Sequence, residues 1–376
     1  MKVITILGTR PEIIRLSLTI KLLDKYINHK VIHTGQNYDY ELNEVFFKDL
    51  GLRKPDYFLE VNTSTLGNIY GETIIKTEKI LIKEQPDAVL ILGDTNSSIA
   101  GIIAKRLQIP IYHLEAGNRS FDQNVPEEIN RKIIDHIADF NIVYTERSRQ
   151  HLIAEGYPHR NIYLSGSPIN EIYKTYKKQL DKTLIFKKLK LKKQDYFLVS
   201  IHRQENVDSK KNLKTILEIL NTIATTYNRK IIFSTHPRTR DKLNSLENFK
   251  INDKIKFLKP FGFFDFLSLQ INSLSVISDS GTISEESSIL KFPAITLRKS
   301  MERPEAIDSG SIILTGLDKE VVLKALKLVI DQKQEMQANS IPLDYQVTNT
   351  SWRIVKLILG TAKMSNDWNS ITKIDK

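Results

Sequence analysis

Short apolar runs alternate with longer amphipathic stretches along most of this 376-residue chain. Such alternation is the mark of strand–helix–strand units, which assemble into parallel sheets. It predicts strands at Lys2–Leu7, Val31–Thr34, Ala88–Leu92, Pro110–Leu114, Phe140–Tyr144 and Ile162–Leu164. Behind the first strand, Gly8-Thr9-Arg10 and Pro11-Glu12 read as a helix start. Ile13, Leu16, Ile20 and Leu23 then recur at helical spacing and should line one buried face. The pattern pauses between Glu171 and Gln194 in a Lys-rich, mostly helical stretch without a strand, read here as a linker. A second series follows at Tyr196–Ile201, Lys230–Ser234, Lys254–Leu258, Leu274–Ile277 and Ala294–Leu297. Helices are expected near Asn96–Leu107, Leu213–Thr225, Thr282–Leu290 and Lys319–Gln332. Residues beyond about Ser365 are polar and expected to fray.

Composition narrows the class. Apolar residues make up 41% and charged residues 26%, ordinary values for a globular protein and inconsistent with wholesale disorder. No apolar run is long enough for a transmembrane helix. MKVITILG reads directly as a strand rather than as a signal peptide. Zero Cys excludes a disulfide scaffold, thiolate nucleophiles and Cys-ligated metals. A cytoplasmic protein is the expectation. The formal charge of +11 favours anionic partners. Its densest run, Lys187 to Lys193, is flanked only by Phe186 and Tyr196 and lacks the interleaved aromatics of a nucleic-acid groove. Most lysines therefore read as solvated surface, and neither nucleic acid nor a membrane is an expected partner.

Position along the pattern then suggests a site. Chemistry-bearing residues sit just after strands in both halves, where ligands bind in open parallel sheets. Two such sheets facing across a cleft would bring Arg10, Gln36, Asp94 and Glu115 together with His202, His236, Ser280 and Arg298. Arg10 lies beside a helix N-terminus, with Arg15 about one turn on, a pairing that favours an anion. Gly8 would let the backbone approach it closely. Ser278-Asp279-Ser280-Gly281-Thr282 opens another helix and offers free N–H groups to a diphosphate, with Glu285 or Glu286 placed for ribose hydroxyls. The same residues also read as a capping box, Thr282 with Glu285.

Asp94, Glu115, Glu127 and Glu128 supply carboxylates, and His202, His236 and His113 imidazoles. Grouped carboxylates raise one another's pKa, which prepares an acid or base near neutrality. Asp94 taken alone also reads as a helix cap. Arg298 and Glu302-Arg303-Pro304-Glu305 offer bidentate guanidinium contacts to phosphate or carboxylate, or else form a surface ion-pair loop. No G-x-G-x-x-G, P-loop or H-E-x-x-H occurs, and the histidines are scattered, so nicotinamide, P-loop nucleotide and metal readings have no support.

Taken in order, GTRPEIIRL from Gly8, GDTNSS from Gly93, HLEAGNRS from His113, VPEEINR from Val125, SDSGTISEES from Ser278 and ERPEA from Glu302 resemble the non-hydrolysing UDP-N-acetylglucosamine 2-epimerase family. The likeness runs from Met1 to about Ile358. It implies an α/β, glycosyltransferase-B-like architecture of two Rossmann-like domains facing across a cleft, over residues 1–170 and 171–349. A C-terminal helix, about 350–376, would pack back on the first. It also implies a homodimer with no metal, nicotinamide or other cofactor, acting on a UDP-sugar. By the same resemblance, Asp94, Glu115 and Glu127 are the acid/base carboxylates and His202 the catalytic His beside the diphosphate. Arg10, Ser280, Gly281 and Glu286 match the UDP site, and Arg303 matches an Arg near the acidic loops. With Arg15, Gln36, His236, Thr282 and Arg298, these complete the expected substrate-binding set.

Three departures mark a subgroup: Arg15 where the family has Lys, Gln36-Asn37 for Gln-His, and Ala116-Gly117-Asn118-Arg119 for Ala-Gly-Leu-Arg. They resemble members that epimerise a UDP-2-acetamido-2,6-dideoxy-L-hexose. Two rival activities remain: a hydrolysing relative that releases N-acetylmannosamine and UDP, and a glycosyltransferase on the same architecture, which would need an acceptor.

Overall fold

The apolar run Lys2–Leu7 (β1) is an inner strand of a fully parallel seven-stranded sheet in the computed structural model, which describes residues 1–35, 40–246, 249–333 and 341–372. Its other strands are β2 (Asn28–His33), β3 (Tyr57–Phe58), β4 (Ala88–Leu92), β5 (Ile111–Leu114), β6 (Phe140–Val143) and β7 (Ile162–Leu164), in the order β3-β2-β1-β4-β5-β6-β7. A second parallel sheet holds β8 (Tyr196–Ser200), β9 (Lys230–Ser234), β10 (Ile255–Leu258), β11 (Ser275–Ser278), β12 (Ala294–Thr296) and β13 (Ile313–Leu314), in the order β10-β9-β8-β11-β12-β13. Each predicted strand is present. The pattern did not reveal β3 and β13, two-residue edge strands too short to show a period.

Both sheets have the doubly wound order, growing outward from the first strand and then returning to its other side. The order therefore reverses between β1 and β4, and again between β8 and β11. At such a switch point the chains leaving neighbouring strands diverge and leave room for a ligand.

The chain divides into two compact units, residues 1–174 with 343–376, and residues 175–342. In the first, helix Arg10–Tyr26 buries Ile13, Leu16, Ile20 and Leu23, the predicted stripe. On the sheet's other face Ile4, Ile6, Val89 and Ile91 pack with Leu81, Ala104 and Ile134. Helix Thr350–Thr361 packs on helix Arg10–Tyr26, with the rings of Trp352 and Tyr26 5.8 Å apart.

Among the described residues beyond Ser365 the expected fraying does not occur. Residues Ser365–Trp368 form a helical turn, and Trp368 packs against Phe140 with ring centroids 6.3 Å apart. Asn366 donates to the Gln108 carbonyl and Asn369 to Asp139. Side-chain amides and one indole anchor a segment whose polar composition hid them.

In the second unit, successive residues of β8 alternate between faces, as strand geometry requires. Phe197 and Val199 meet Ile216, Leu220 and Leu326; Tyr196 and Leu198 meet Leu269 and Phe292. Among the described residues no helix is long and apolar enough to cross a membrane.

Candidate functional site

At the first unit's switch point, the turns after β1 and β4 are joined by one buried carboxylate. Glu12, third residue of helix Arg10–Tyr26, accepts from the backbone N–H of Gly8 (2.6 Å) and Thr9 (2.7 Å). The hydroxyls of Thr95 and Ser97 also reach it, each at 2.6 Å. Burial pushes its carboxyl upward, against the four hydrogen bonds that favour the ionised form. Glu12 is thus a strut that fixes where Arg10 and Asp94 begin. Gly8 is needed for a different close approach from the one expected: a Cβ there would lie 2.1 Å from Thr34 Oγ1.

Arg10 sits over the Phe46 ring, 5.7 Å from its centroid, and burial lowers its pKa. Arg15 is buried over the Tyr144 ring at 5.5 Å, with Nη1 3.6 Å from Glu115 Oε2. Gln36 and its neighbour Asn37 lie outside the described residues.

Asp94 is not a helix cap. Thr95 takes that position, accepting from Ser97 N–H at 3.3 Å, while Asp94 Oδ2 accepts from Arg131 Nε (2.9 Å) and Nη2 (2.5 Å). Glu115 adopts φ +67°, left-handed backbone that costs a non-glycine residue about 1–3 kcal/mol unless its surroundings impose it. Glu127 opens helix Glu127–Ile137 and is partly exposed. Its neighbour Glu128 is fully buried, accepting from Ser120 N–H (3.1 Å), Ser120 Oγ (2.9 Å) and Arg131 Nη1 (2.6 Å). The adjacent pair therefore divides into a group that can meet a ligand and one that secures the preceding loop.

Several histidines of this unit serve the fold. His113 is buried between the Gly93 carbonyl (2.8 Å) and Asp135 (2.9 Å), which removes it from the candidate imidazoles. His136 lies 3.0 Å from Glu155, and His29 is held between Asp24 and Thr5. Among the described residues no three His, Asp or Glu side chains gather as a metal site.

His33 is stacked on Phe58 at 4.8 Å and accepts from Gly35 N–H; burial pushes its pKa down to about 4. The folded ring stays neutral, whereas the unfolded ring takes a proton near pH 6.5. Its contribution to stability is thus complete above that pH and lost as pH falls toward 4, about 3 kcal/mol in all. Urea melts at pH 7 and pH 5 should show the loss, and His33→Gln should reduce the difference between them.

The second unit repeats the device. Asp279, buried after β11, accepts from the backbone N–H of His202 and Arg203 after β8 and from Asn206 Nδ2, each at 3.0 Å. His202 is left with a side chain 44% exposed, its Nδ1 3.5 Å from Asp279. Ser280 Oγ accepts from Thr282 N–H at 3.4 Å and lies 3.1 Å from Thr282 Oγ1. The capping box read at Thr282 and Glu285 does not form. Thr282 is helical with no side-chain cap, and buried Glu285 faces Arg303 at 3.6 Å.

Around Gly281 gather three guanidinium groups. A Cβ there would meet Arg203 Nη2 and Glu302 Oε2 at 3.3 Å and Arg298 Nη1 at 3.7 Å. Arg303 Nη1 donates to the Gly281 carbonyl at 2.9 Å. Arg298 is buried and bidentate to Glu302 (2.6 and 2.8 Å), so the loop is an ion pair, but an internal one rather than a surface one. Arg203 joins this cluster and was missed in the sequence, although it directly follows His202. Glu286 accepts from Gln270 at 2.7 Å. His236 caps helix Pro237–Asn244, its Nδ1 accepting from Arg238 N–H.

Comparison with known proteins shows the family. The profile of the UDP-N-acetylglucosamine 2-epimerase family matches residues 21–359. A solved UDP-N-acetylglucosamine 2-epimerase from Rickettsia bellii is 47% identical and superposes with a TM-score of 0.93, over 99% of this chain and 100% of that one. The Methanocaldococcus jannaschii enzyme, solved in complex with UDP-GlcNAc and UDP, is 39% identical with a TM-score of 0.90, over 96% and 100%. A UDP-2,3-diacetamido-2,3-dideoxy-D-glucuronate 2-epimerase from Pseudomonas aeruginosa is 32% identical over 87% of this chain and 92% of its own. On the extent of these matches, the chain belongs to the non-hydrolysing UDP-N-acetylglucosamine 2-epimerase family, isomerases acting on UDP-sugars.

Proposed function

We propose that the protein interconverts UDP-GlcNAc and UDP-ManNAc by elimination and re-addition of UDP. A base removes the proton on sugar carbon 2, its electron pair forms the C1=C2 bond, and the C1–O bond to UDP breaks. The product is 2-acetamidoglucal, which is reprotonated on the other face as UDP adds back. Carbon 2 has no neighbouring carbonyl to acidify its proton, so expulsion of a stabilised diphosphate must drive the step. In this reading Asp94, Glu115 and Glu127 handle the proton and His202 lies beside the diphosphate. Arg10, Arg15, Gln36, His236, Ser280, Gly281, Thr282, Glu286, Arg298 and Arg303 bind the substrate.

The observation that carries the reading is the pairing of functions. Carboxylates stand at the β4 and β5 ends, two of them set against Arg131 and Arg15. Guanidinium groups and a small-residue turn stand at the β11 end. Charge distribution supports it: residues 175–342 carry 29 Lys and Arg against 19 Asp and Glu, nearly all of the net +11. An anionic substrate is steered toward such a surface, increasingly so at low salt. Arg10→Ala should weaken UDP-sugar binding about tenfold, the scale of one charge-assisted contact, with little change in folding. Wild-type affinity in calorimetric titration would reduce the first turn to a helix start.

Incubation with UDP-GlcNAc alone tests the reading. UDP-ManNAc with UDP still attached supports it, free ManNAc plus UDP indicates the hydrolysing relative, and dependence on an acceptor indicates a transferase. If folded protein leaves UDP-GlcNAc unchanged, the UDP-2-acetamido-2,6-dideoxy-L-hexose is the substrate to try next.

A homodimer and a cytoplasmic location belong to the same proposal. Helix Leu66–Glu84 leaves Ile75 54% and Ile82 58% exposed, apolar surface that a second copy would cover. Light scattering should find a dimer, and Ile75→Lys with Ile82→Lys a monomer.

A further inference from the structure

We infer that Asp135, which lies outside the proposed catalytic and substrate-binding set, is a positioning residue that sets the turns carrying Asp94 and Glu115 through His113 and Gly117. Asp135 is fully buried in helix Glu127–Ile137. Its two carboxylate oxygens accept from Gly117 N–H at 3.3 and 3.2 Å, and Oδ2 accepts from Arg119 Nη1 at 2.7 Å. Oδ1 lies 2.9 Å from His113 Nδ1, and His113 Nε2 donates to the Gly93 carbonyl at 2.8 Å. Gly93 is joined to Asp94, and Gly117 lies two residues after Glu115. One carboxylate therefore reaches both turns.

Three features give this contact purpose. Gly93, Glu115 and Gly117 all have positive φ, near 72°, 67° and 77°; the glycines adopt it freely, but Glu115 stays there only if its surroundings impose it. Helix Glu127–Ile137 also presents Arg131 to Asp94 and begins with Glu127, so a single rigid element addresses all three proposed acid/base groups. Finally, the cluster is ionic and its centre is buried. Burial would raise the Asp135 carboxyl, yet His113 and Arg119 hold it below its usual range, and Arg119 reaches on to Glu155 with two bonds of 2.7 Å. Buried ion clusters add little net stability over apolar packing, which leaves geometry as what this one supplies.

The inference rests on the epimerase reading, so wild-type protein is assayed in parallel. Asp135→Asn keeps the shape but loses the charge and one acceptor. It should lower kcat about 10–100-fold, the scale of a small misplacement of reacting groups, with KM within about threefold. The limbs of its pH–rate profile should also shift. His113→Gln, which cannot face Asp135 and the Gly93 carbonyl at once, should lower kcat in the same way and serves if the first variant does not fold. Glu155→Gln, at the outer end of the cluster, should lower the melting temperature while leaving kcat within twofold. A folded Asp135→Asn enzyme with wild-type kcat and pH profile overturns the inference, as does an equal kcat loss in Glu155→Gln. Absence of turnover by wild-type protein would instead overturn the epimerase reading.

Discussion

Glu115→Gln should abolish exchange of the sugar's carbon 2 proton, lowering kcat by at least about 10³-fold, while UDP binds within about threefold of wild type. A positioned acid or base contributes 10²–10⁴-fold, and the amide can neither take nor give that proton. Separation of the two effects follows from where the groups stand. Glu115 follows β5 and faces Arg15, whereas the guanidinium cluster around Gly281 is built from the turns after β8, β11 and β12. Glu115 also holds left-handed backbone that Gln can keep at similar cost, so the fold should survive the exchange. Proton exchange by NMR and UDP titration by calorimetry would be read on one preparation. Unchanged exchange would remove Glu115 from the mechanism.

Asp279→Ala should be the most damaging single change in the second unit. Three donors, the N–H groups of His202 and Arg203 and the Asn206 amide, would lose their acceptor in a buried place. Each orphaned group costs about 1–3 kcal/mol, and because the two backbone donors are only part-buried the total should fall in the lower part of that range, near 3–5 kcal/mol, or about 10 °C in Tm for a unit of this size. UDP affinity should fall more than tenfold with it, because the His202–Arg203 turn loses its anchor. Asp279→Asn keeps one oxygen and should fall between the two. Wild-type melting and UDP binding in Asp279→Ala would show that the turn is held by other contacts.

These clamps mark the limit of what the sequence discloses. Strands such as Ala88–Leu92 are legible because they are buried on both faces and so wholly apolar. The 19-residue helix Leu66–Glu84 is not, since Gly67, Gly71 and several β-branched residues dilute its propensity. It forms because Thr73, Thr77, Ile80 and Leu81 pack inward. Site residues are legible by position, as polar groups that follow strands. Their partners are not, because Arg131 meets Asp94 across 37 residues and Asp279 meets Arg203 across 76. Asp279 stood inside a motif read for phosphate, yet its carboxylate serves the neighbouring backbone. Likewise nothing in the pair Glu127-Glu128 tells which one is buried.

The most direct measurement is proton NMR of the purified protein with UDP-GlcNAc in heavy water, without metal or acceptor. Elimination and re-addition predict UDP-ManNAc carrying deuterium at carbon 2 with UDP attached, and deuterium entering the UDP-GlcNAc pool as the reaction reverses. Conversion that retains the original carbon 2 proton would contradict that route, because elimination through a 2-acetamidoglucal must pass that proton to a group that exchanges with solvent.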